Sequence, residues 1–382
     1  MAEFAVVGAG FSGAVVARGL AEAGHTCRVF DARPHVAGNC FTEREAGVMV
    51  HRYGPHIFHT GRERVWEYLH RFTEFGPYVH RVKATTDAGV FSLPVNLLTI
   101  NQFFGRRFSP EEAAAFLAAQ GESNGAEPAN FEEQALALVG RQLYEAFFRG
   151  YTTKQWGRDP VDLPASVLKR LPVRFTYDDD YFDHPHQGIP MDGYTTVVER
   201  ILDVPGVVVE LETPVSADDL EGFAHSFWSG PLDSYFGHRL GHLPYRTLRF
   251  ERIETDGDVQ GCAQMNYCSE HVPYTRTTEH KHFAPWERHD RTVVYREFSE
   301  EWQPGDEPYY PIRLAQEIDL LHGYVELARA TPGVTFMGRL GTYRYIDMDV
   351  TIDEALTTVE VTIDSLGRGE PPPPFVVDPL AT

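Results

Sequence analysis

Three glycines in the run Ala5-Val6-Val7-Gly8-Ala9-Gly10-Phe11-Ser12-Gly13-Ala14 have the type and spacing of a diphosphate cradle. Gly8 allows a tight turn, Gly10 lets backbone approach the diphosphate, and Gly13 lets a following helix pack close to the preceding strand. The start of that helix, from Phe11 and Ser12 onward, offers free N–H donors and the positive end of the helix dipole. Asp31, about 20 positions further on, closes a second strand over 27–30 and is positioned to accept from ribose hydroxyls of an adenosine. A dinucleotide is expected here.

The residues after Asp31 bear on which dinucleotide. Six positions separate the acid from Gly38, followed by Asn39, and this second close backbone approach favours FAD over NAD. Short-chain NAD epimerases space their glycines differently, and no Tyr-x-x-x-Lys pair stands in the expected place.

Two further groups could do chemistry. In 54–60, His56 and His59 stand three apart, with His51 upstream and His280 and His282 far along the chain. No carboxylate or thiol pattern accompanies them, so a loop beside the flavin, with imidazoles tuning local charge, is a better reading than a metal centre. The alternative, that either histidine is simply packed in the core, stays open. In 145–156, the aromatic residues Phe147, Tyr151 and Trp156 precede the basic run Lys169-Arg170-Leu171-Pro172-Val173-Arg174. Aromatic faces for a base and arginines for phosphates make a nucleotide-sugar clamp, each charge-assisted bond contributing about 1.5–3 kcal/mol.

The elements that must position these groups follow from pattern and punctuation. A βαβ unit fills about 3–40, a strand covers 49–53, and 63–73 has helical spacing. The region 81–93 alternates around the turn Asp87-Ala88-Gly89. Ser109-Pro110-Glu111-Glu112 and Asn130-Phe131-Glu132-Glu133 open helices in a helical insertion, and 151–164, with Gly157, Pro160 and Pro164, reads as a mobile connection. Runs at 207–211, 225–228, 246–251, 261–267 and 292–298 suggest a mainly antiparallel sheet, with helices near 314–330 and 353–365 before a proline-rich tail. The expected class is α/β. It combines an FAD-binding Rossmann-like domain (1–78, about 190–242 and 330–382), an inserted helical-bundle domain with a mobile substrate loop (about 97–180) and a mainly antiparallel β-sheet domain (about 79–96 and 243–329).

Composition narrows the partners. A formal net charge of −21 over 382 residues argues against nucleic acid or an anionic membrane surface. An anionic substrate then needs a local arginine cluster. The four cysteines form no C-x-x-C pair, so neither a zinc nor a disulfide framework is expected, and no signal peptide or membrane span is legible. A cytoplasmic enzyme is expected.

The chain resembles bacterial UDP-galactopyranose mutases from about residue 3 to 365. The matching stretches include 7–13, 48–60, 91–104, 131–156 and 163–181, continuing through Tyr274-Thr275-Arg276-Thr277-Thr278-Glu279-His280-Lys281, 307–313 and 338–349. The resemblance implies interconversion of UDP-galactopyranose and UDP-galactofuranose without net redox change, supplying galactofuranose for cell-surface glycans. In that family N5 of reduced FAD attacks the anomeric carbon, UDP leaves, and ring opening and reclosure proceed through a flavin–sugar iminium.

Carried over by the same resemblance, Arg170 and Arg276 hold the diphosphate. Trp156, Phe147 and Thr152 serve the uridine side, and Tyr181, Asn266, Tyr310 and Tyr345 contact phosphates or orient the sugar. Gly8, Gly10, Phe11, Ser12, Gly13, Asp31, Gly38, Asn39, His56, Ile57, His59, Arg339, Asp347 and Met348 serve FAD. His80 stands where relatives often carry Asn against the sugar, and Ala37 replaces the first glycine of a Gly-Gly pair. The resemblance also implies a homodimer and a cellular flavin reductant. The alternative is an FAD-dependent oxidoreductase of the amine-oxidase type, which shares the opening turn but has no need of Arg170, Trp156 and Arg276 together.

Overall fold

The computed structural model describes residues 1–122, 125–165, 173–313 and 318–381. Two sheets dominate it. In the first, five parallel strands run in the order Val207–Glu210, Thr26–Phe30, Glu3–Val7, His225–Trp228 and Val334–Phe336. Parallel strands buried on both faces read as apolar runs, and here Phe4, Ala5, Val6 and Val29 are fully buried. Helices Phe11–Glu22 and Met348–Arg368 pack together, close enough that a Cβ on Gly19 would sit 2.6 Å from the Val359 side chain.

Two strands expected within the Rossmann-like domain pair in the other direction. Runs 207–211 and 225–228 suggested antiparallel pairing, yet Val207–Glu210 and His225–Trp228 are parallel neighbours in the nucleotide-type sheet. An apolar run shows that a strand is buried, whereas the direction of its partner is set by the connection between them.

The second sheet has seven strands, ordered Tyr310–Pro311, Tyr245–Asp256, Arg291–Glu301, Arg276–Glu279, Gln264–Tyr267, Val82–Thr86 and Gly89–Leu93. All its pairings are antiparallel except that of Gln264–Tyr267 with Val82–Thr86. Helices Leu97–Phe104, Pro110–Gln120 and Phe131–Leu143 cover its far end around a separate apolar core that includes Ile100, Leu117, Phe131 and Leu143. Ser109 and Glu112 form a reciprocal capping box with Pro110 in the first turn, as the sequence pattern predicts.

Helix Phe131–Leu143 breaks at Gly140 (φ 71°), passes through the π-helical turn Tyr144–Arg149, and continues as Gly150–Trp156. The stretch read as a mobile connection from residue 151 is therefore helical through Trp156. Gly150 lies against the sheet, where a Cβ would be 2.3 Å from the Cys268 carbonyl oxygen. Lys154 then locks the turn down. Its ammonium donates to the carbonyls of Tyr267, Ser269, Val272 and Tyr274 at 2.7, 2.9, 2.9 and 3.1 Å.

Candidate active site

The opening glycines act in different ways. A Cβ on Gly13 would lie 1.9 Å from the Gly8 carbonyl oxygen, so this residue lets helix and strand touch. Gly8 (φ +99°) turns the chain where a Cβ would lie 2.1 Å from Ser229 Oγ. Gly10 is not required by the protein's own packing, because a Cβ there would meet only Gly38, at 3.8 Å, and its backbone is extended. Its open side faces a cavity, and the helix it caps has no side-chain N-cap. Bare N–H groups at a glycine-lined wall fit a diphosphate.

That cavity, of about 410 Å³, is lined by Gly8, Gly10, Phe11, Ser12, Asp31, Gly38, Asn39, His56, Arg339 and Met348 among others. The Asp31 carboxylate accepts from the N–H groups of Ala9 (2.8 Å) and Arg33 (2.9 Å), which fixes it at the cavity edge. Ala37 occupies the left-handed region (φ 72°) that a glycine would enter freely, and donates its N–H to Ala9 O at 2.8 Å.

A second cavity, of about 200 Å³, shares Asn39, His56, Arg339 and Met348 with the first. Its wall carries Ile57, His59, His80, Tyr181, Arg276, Tyr310, Tyr345 and Asp347, bringing together strands of the seven-stranded sheet, the histidine-rich loop and the start of the last long helix. Arg339 stands at the junction, with Nη1 and Nη2 donating to the carbonyls of Tyr309 (3.3 Å) and Ile346 (3.2 Å) and its guanidinium over the Tyr345 ring. Arg276 Nε donates to Glu297 Oε2 at 2.7 Å, and Nη2 reaches the Tyr310 hydroxyl at 3.5 Å.

The histidines here are kept neutral by burial. His56 is pushed down to about 4 and His80 to about 3, the nearby cation Arg276 acting in the same direction on both. His56 Nδ1 bonds the Gly54 carbonyl at 2.9 Å, so it carries the proton and Nε2 is an acceptor. His80 Nδ1 lies 3.0 Å from the Tyr78 hydroxyl. His59 stacks on Phe182 at 3.6 Å, and its Nδ1 is 2.7 Å from Nδ1 of His184, so one proton serves both nitrogens. His51 and His280, fully buried, accept the backbone N–H groups of His56 (3.0 Å) and His51 (3.2 Å) and so brace the loop.

Several expected residues lie beside the cavities rather than on their walls. Phe147 is buried against Phe91 and Phe103 in the helical core, Thr152 is buried, and Trp156 packs on the same core. Asn266 is opposite Arg276 in strand register, its Oδ1 accepting from Gln264 Nε2 at 3.0 Å. Arg170 lies outside the described residues.

Sequence reasoning missed Glu297, Gln264, Tyr53, Phe182 and Tyr309, of which the last four line the second cavity. Glu297 could have been found only through the strand pairing that sets it opposite Arg276.

Similarity to known proteins agrees with this geometry. A family model described as UDP-galactopyranose mutase matches residues 146–345, and one for NAD(P)-binding Rossmann-like domains matches 6–72. A "Probable UDP-galactopyranose mutase" of Klebsiella pneumoniae is 54% identical, the alignment covering 97% of each chain. A "dTDP-fucopyranose mutase" of Escherichia coli is 47% identical over 94% of this chain and 97% of its own. Among solved structures, a reduced UDP-galactopyranose mutase superposes with a TM-score of 0.73 at 14% identity, covering 96% of both chains. Putrescine oxidase does so at 0.58 and 15%, covering 95% of this chain and 99% of its own. At such identities these two show the fold alone. Sequence identity over nearly the whole length carries the relationship, and the chain belongs to the UDP-galactopyranose mutase family.

Proposed function

We propose that this enzyme interconverts UDP-galactopyranose and UDP-galactofuranose, with FAD in the first cavity and the nucleotide-sugar reaching into the second. The observation that carries the reading is the meeting of the two cavities at Asn39, His56, Arg339 and Met348, with Arg276 on the wall of the second. The glycine cradle, the uncapped helix start and Asp31 fit the diphosphate and ribose of the cofactor. When bound and reduced, FAD supplies through N5 a nucleophile for the anomeric carbon and is regenerated without net oxidation.

The protein's part is binding, orientation and charge. Arg276, held in direction by Glu297, binds the substrate diphosphate in a molecule whose overall field repels it, and Arg170 is its proposed partner. Tyr181, Tyr310 and Tyr345 shield the reacting carbon from water and donate to phosphate or sugar oxygens. Phe147, Thr152 and Trp156 complete the uridine side when the nucleotide binds, and Asn266 contacts phosphate or sugar. His56 and His80, kept neutral by burial, leave the diphosphate to the arginines. A cytoplasmic homodimer served by a cellular flavin reductant, feeding cell-surface glycans, belongs to the same reading. No described helix is long and apolar enough to cross a membrane.

The name of the E. coli relative gives a second substrate, dTDP-fucopyranose, a specific footing. Anaerobic assays of dithionite-reduced protein with UDP-galactofuranose and with dTDP-fucose separate the two. Turnover of the UDP-sugar without consumption of reductant supports the proposal. Conversion of the dTDP-sugar alone moves the assignment to that substrate. Stoichiometric use of reductant or oxygen would favour an amine-oxidase type of oxidoreductase instead.

A further inference from the structure

The connection leading from the nucleotide-type sheet into the seven-stranded sheet carries a cluster outside both cavities. Asp233, in the short helix Leu232–Tyr235, is only 1% exposed, and His238 and His242 follow it five and nine positions later. One ligand atom from each of the three lies within 4.8 Å of the others. The His238 and His242 rings are 4.1 Å apart between centroids.

The distances leave room for an ion between these groups. A tetrahedral zinc with bonds of about 2.0–2.1 Å has ligand–ligand edges of about 3.3 Å. His238 Nδ1 and Asp233 Oδ2 are already 3.1 Å apart, and rotation of exposed His242 can supply the remaining edges. The Asp233 carboxylate is also short of partners. Oδ2 bonds His238 Nδ1 (3.1 Å) and accepts from the Leu243 N–H (3.0 Å), whereas Oδ1 is buried and no donor among the described residues reaches it. A buried carboxylate oxygen without a donor is costly, and a cation shared with the two imidazoles would offset that cost.

The loop is preformed for the task. The N–H of His238 bonds Asp233 O at 2.9 Å, and that of Gly241 bonds His238 O at 2.8 Å. The Tyr324 hydroxyl bridges the Leu240 N–H (3.1 Å) and the Gly241 carbonyl (2.6 Å). His238 is held at φ 55°, a region that non-glycine residues seldom adopt. On the far side His242 packs near Trp302, which follows strand Arg291–Glu301 of the large sheet, at 5.5 Å between rings.

We propose that Asp233, His238 and His242 bind a divalent transition-metal cation of the zinc class, with one position left to water. Two imidazoles and one carboxylate select zinc, cobalt or nickel over magnesium or calcium, which take oxygen donors. The ion pins the connection between the sheet that carries the cofactor cavity and the sheet that carries Arg276. It is a structural site, independent of the proposed reaction.

The test uses the full-length, tag-free protein stripped with a chelator and titrated with zinc, cobalt and magnesium. One equivalent of zinc binds and raises Tm, cobalt gives the visible absorption of a four-coordinate nitrogen–oxygen site, and magnesium does neither. His242→Ala, at an exposed position, keeps the fold and weakens zinc binding by about tenfold or more. His238→Asn with His242→Ala abolishes the cobalt spectrum. The proposal is overturned by no zinc bound at tenfold excess, by magnesium binding as tightly as zinc, or by equal zinc affinity in the double variant.

Discussion

The Arg276 guanidinium and the Glu297 carboxylate face each other across adjacent antiparallel strands, 2.7 Å apart, with the Glu297 side chain only 1% exposed. Breaking such a buried pair from one side leaves an uncompensated charge, which costs about 3–5 kcal/mol. Arg276→Ala is therefore expected to abolish turnover and also lower stability, while flavin stays bound. Adding Glu297→Gln should restore much of the stability and none of the activity. Urea midpoints and turnover for the two single variants and the double variant check this, and a double variant as unstable as Arg276→Ala would refute the coupling.

The glycine turn predicts a separation of folding from cofactor retention. Gly13→Ala collides with backbone and should prevent folding or cost several kcal/mol, whereas Gly10→Ala collides with nothing in the protein. At an N-cap that exchange costs a few tenths of a kcal/mol to about 1 kcal/mol. Flavin content of Gly10→Ala should fall sharply at nearly unchanged Tm. Full flavin occupancy would mean that no diphosphate approaches this backbone.

Buried imidazoles set the acid limb of stability. His56 and His225 are lowered to about 4, His80 and His280 to about 3, and His51 well below 6.5, each mainly by burial. The unfolded chain, with histidines near 6.5, binds more protons below that pH, so stability is full above it and declines as pH falls towards 4. Each group adds a slope approaching about 1.4 kcal/mol per pH unit. Denaturation midpoints should be flat from pH 7 to 8 and drop between 6.5 and 5, before carboxylates titrate. His80→Asn should make the drop shallower, and a wild-type midpoint constant down to pH 5 would show that these rings can charge in place.

Lys154 anchors the helix that ends in Trp156. Lys154→Met leaves four carbonyls without their shared donor, and with hydrogen bonds to charged groups worth about 1.5–3 kcal/mol, Tm should fall by several degrees. In a variant retaining Trp156 as its sole tryptophan, UDP should change the emission, and Lys154→Met should raise the UDP concentration needed by about tenfold. An emission indifferent to UDP removes Trp156 from the binding site.

Local features were legible in the sequence because their causes are local. The glycine turn, Asp31 at a strand end, the Ser109 capping box and the hairpin at Asp87–Gly89 each depend on residues a few positions apart. Partnerships across the fold were not. Glu297 is one acidic residue in a strand that also carries Arg296, Glu300 and Glu301, and only its register opposite Arg276 singles it out. Lys154 looks like an ordinary helix-surface lysine until the carbonyls of residues 267–274 close around it. The strands at 207–210 and 225–228 were recognised as strands of the Rossmann-like domain but read as antiparallel, since their partners at 27–30 and 4–7 lie about 200 residues away.

The single parallel seam in the large sheet, between Gln264–Tyr267 and Val82–Thr86, has a consequence for how the molecule comes into being. Nearly 180 residues separate its two sides, and the cavity junction also needs Arg339, further still along the chain. Contacts of such sequence separation form slowly and late. During synthesis the helical insertion can assemble first, while the hairpin at 82–93 remains with one edge exposed. A nascent polypeptide thus cannot complete the proposed flavin cavity until residue 339 has left the ribosome, which places capture of such a cofactor after the helical insertion has formed rather than at its nucleus.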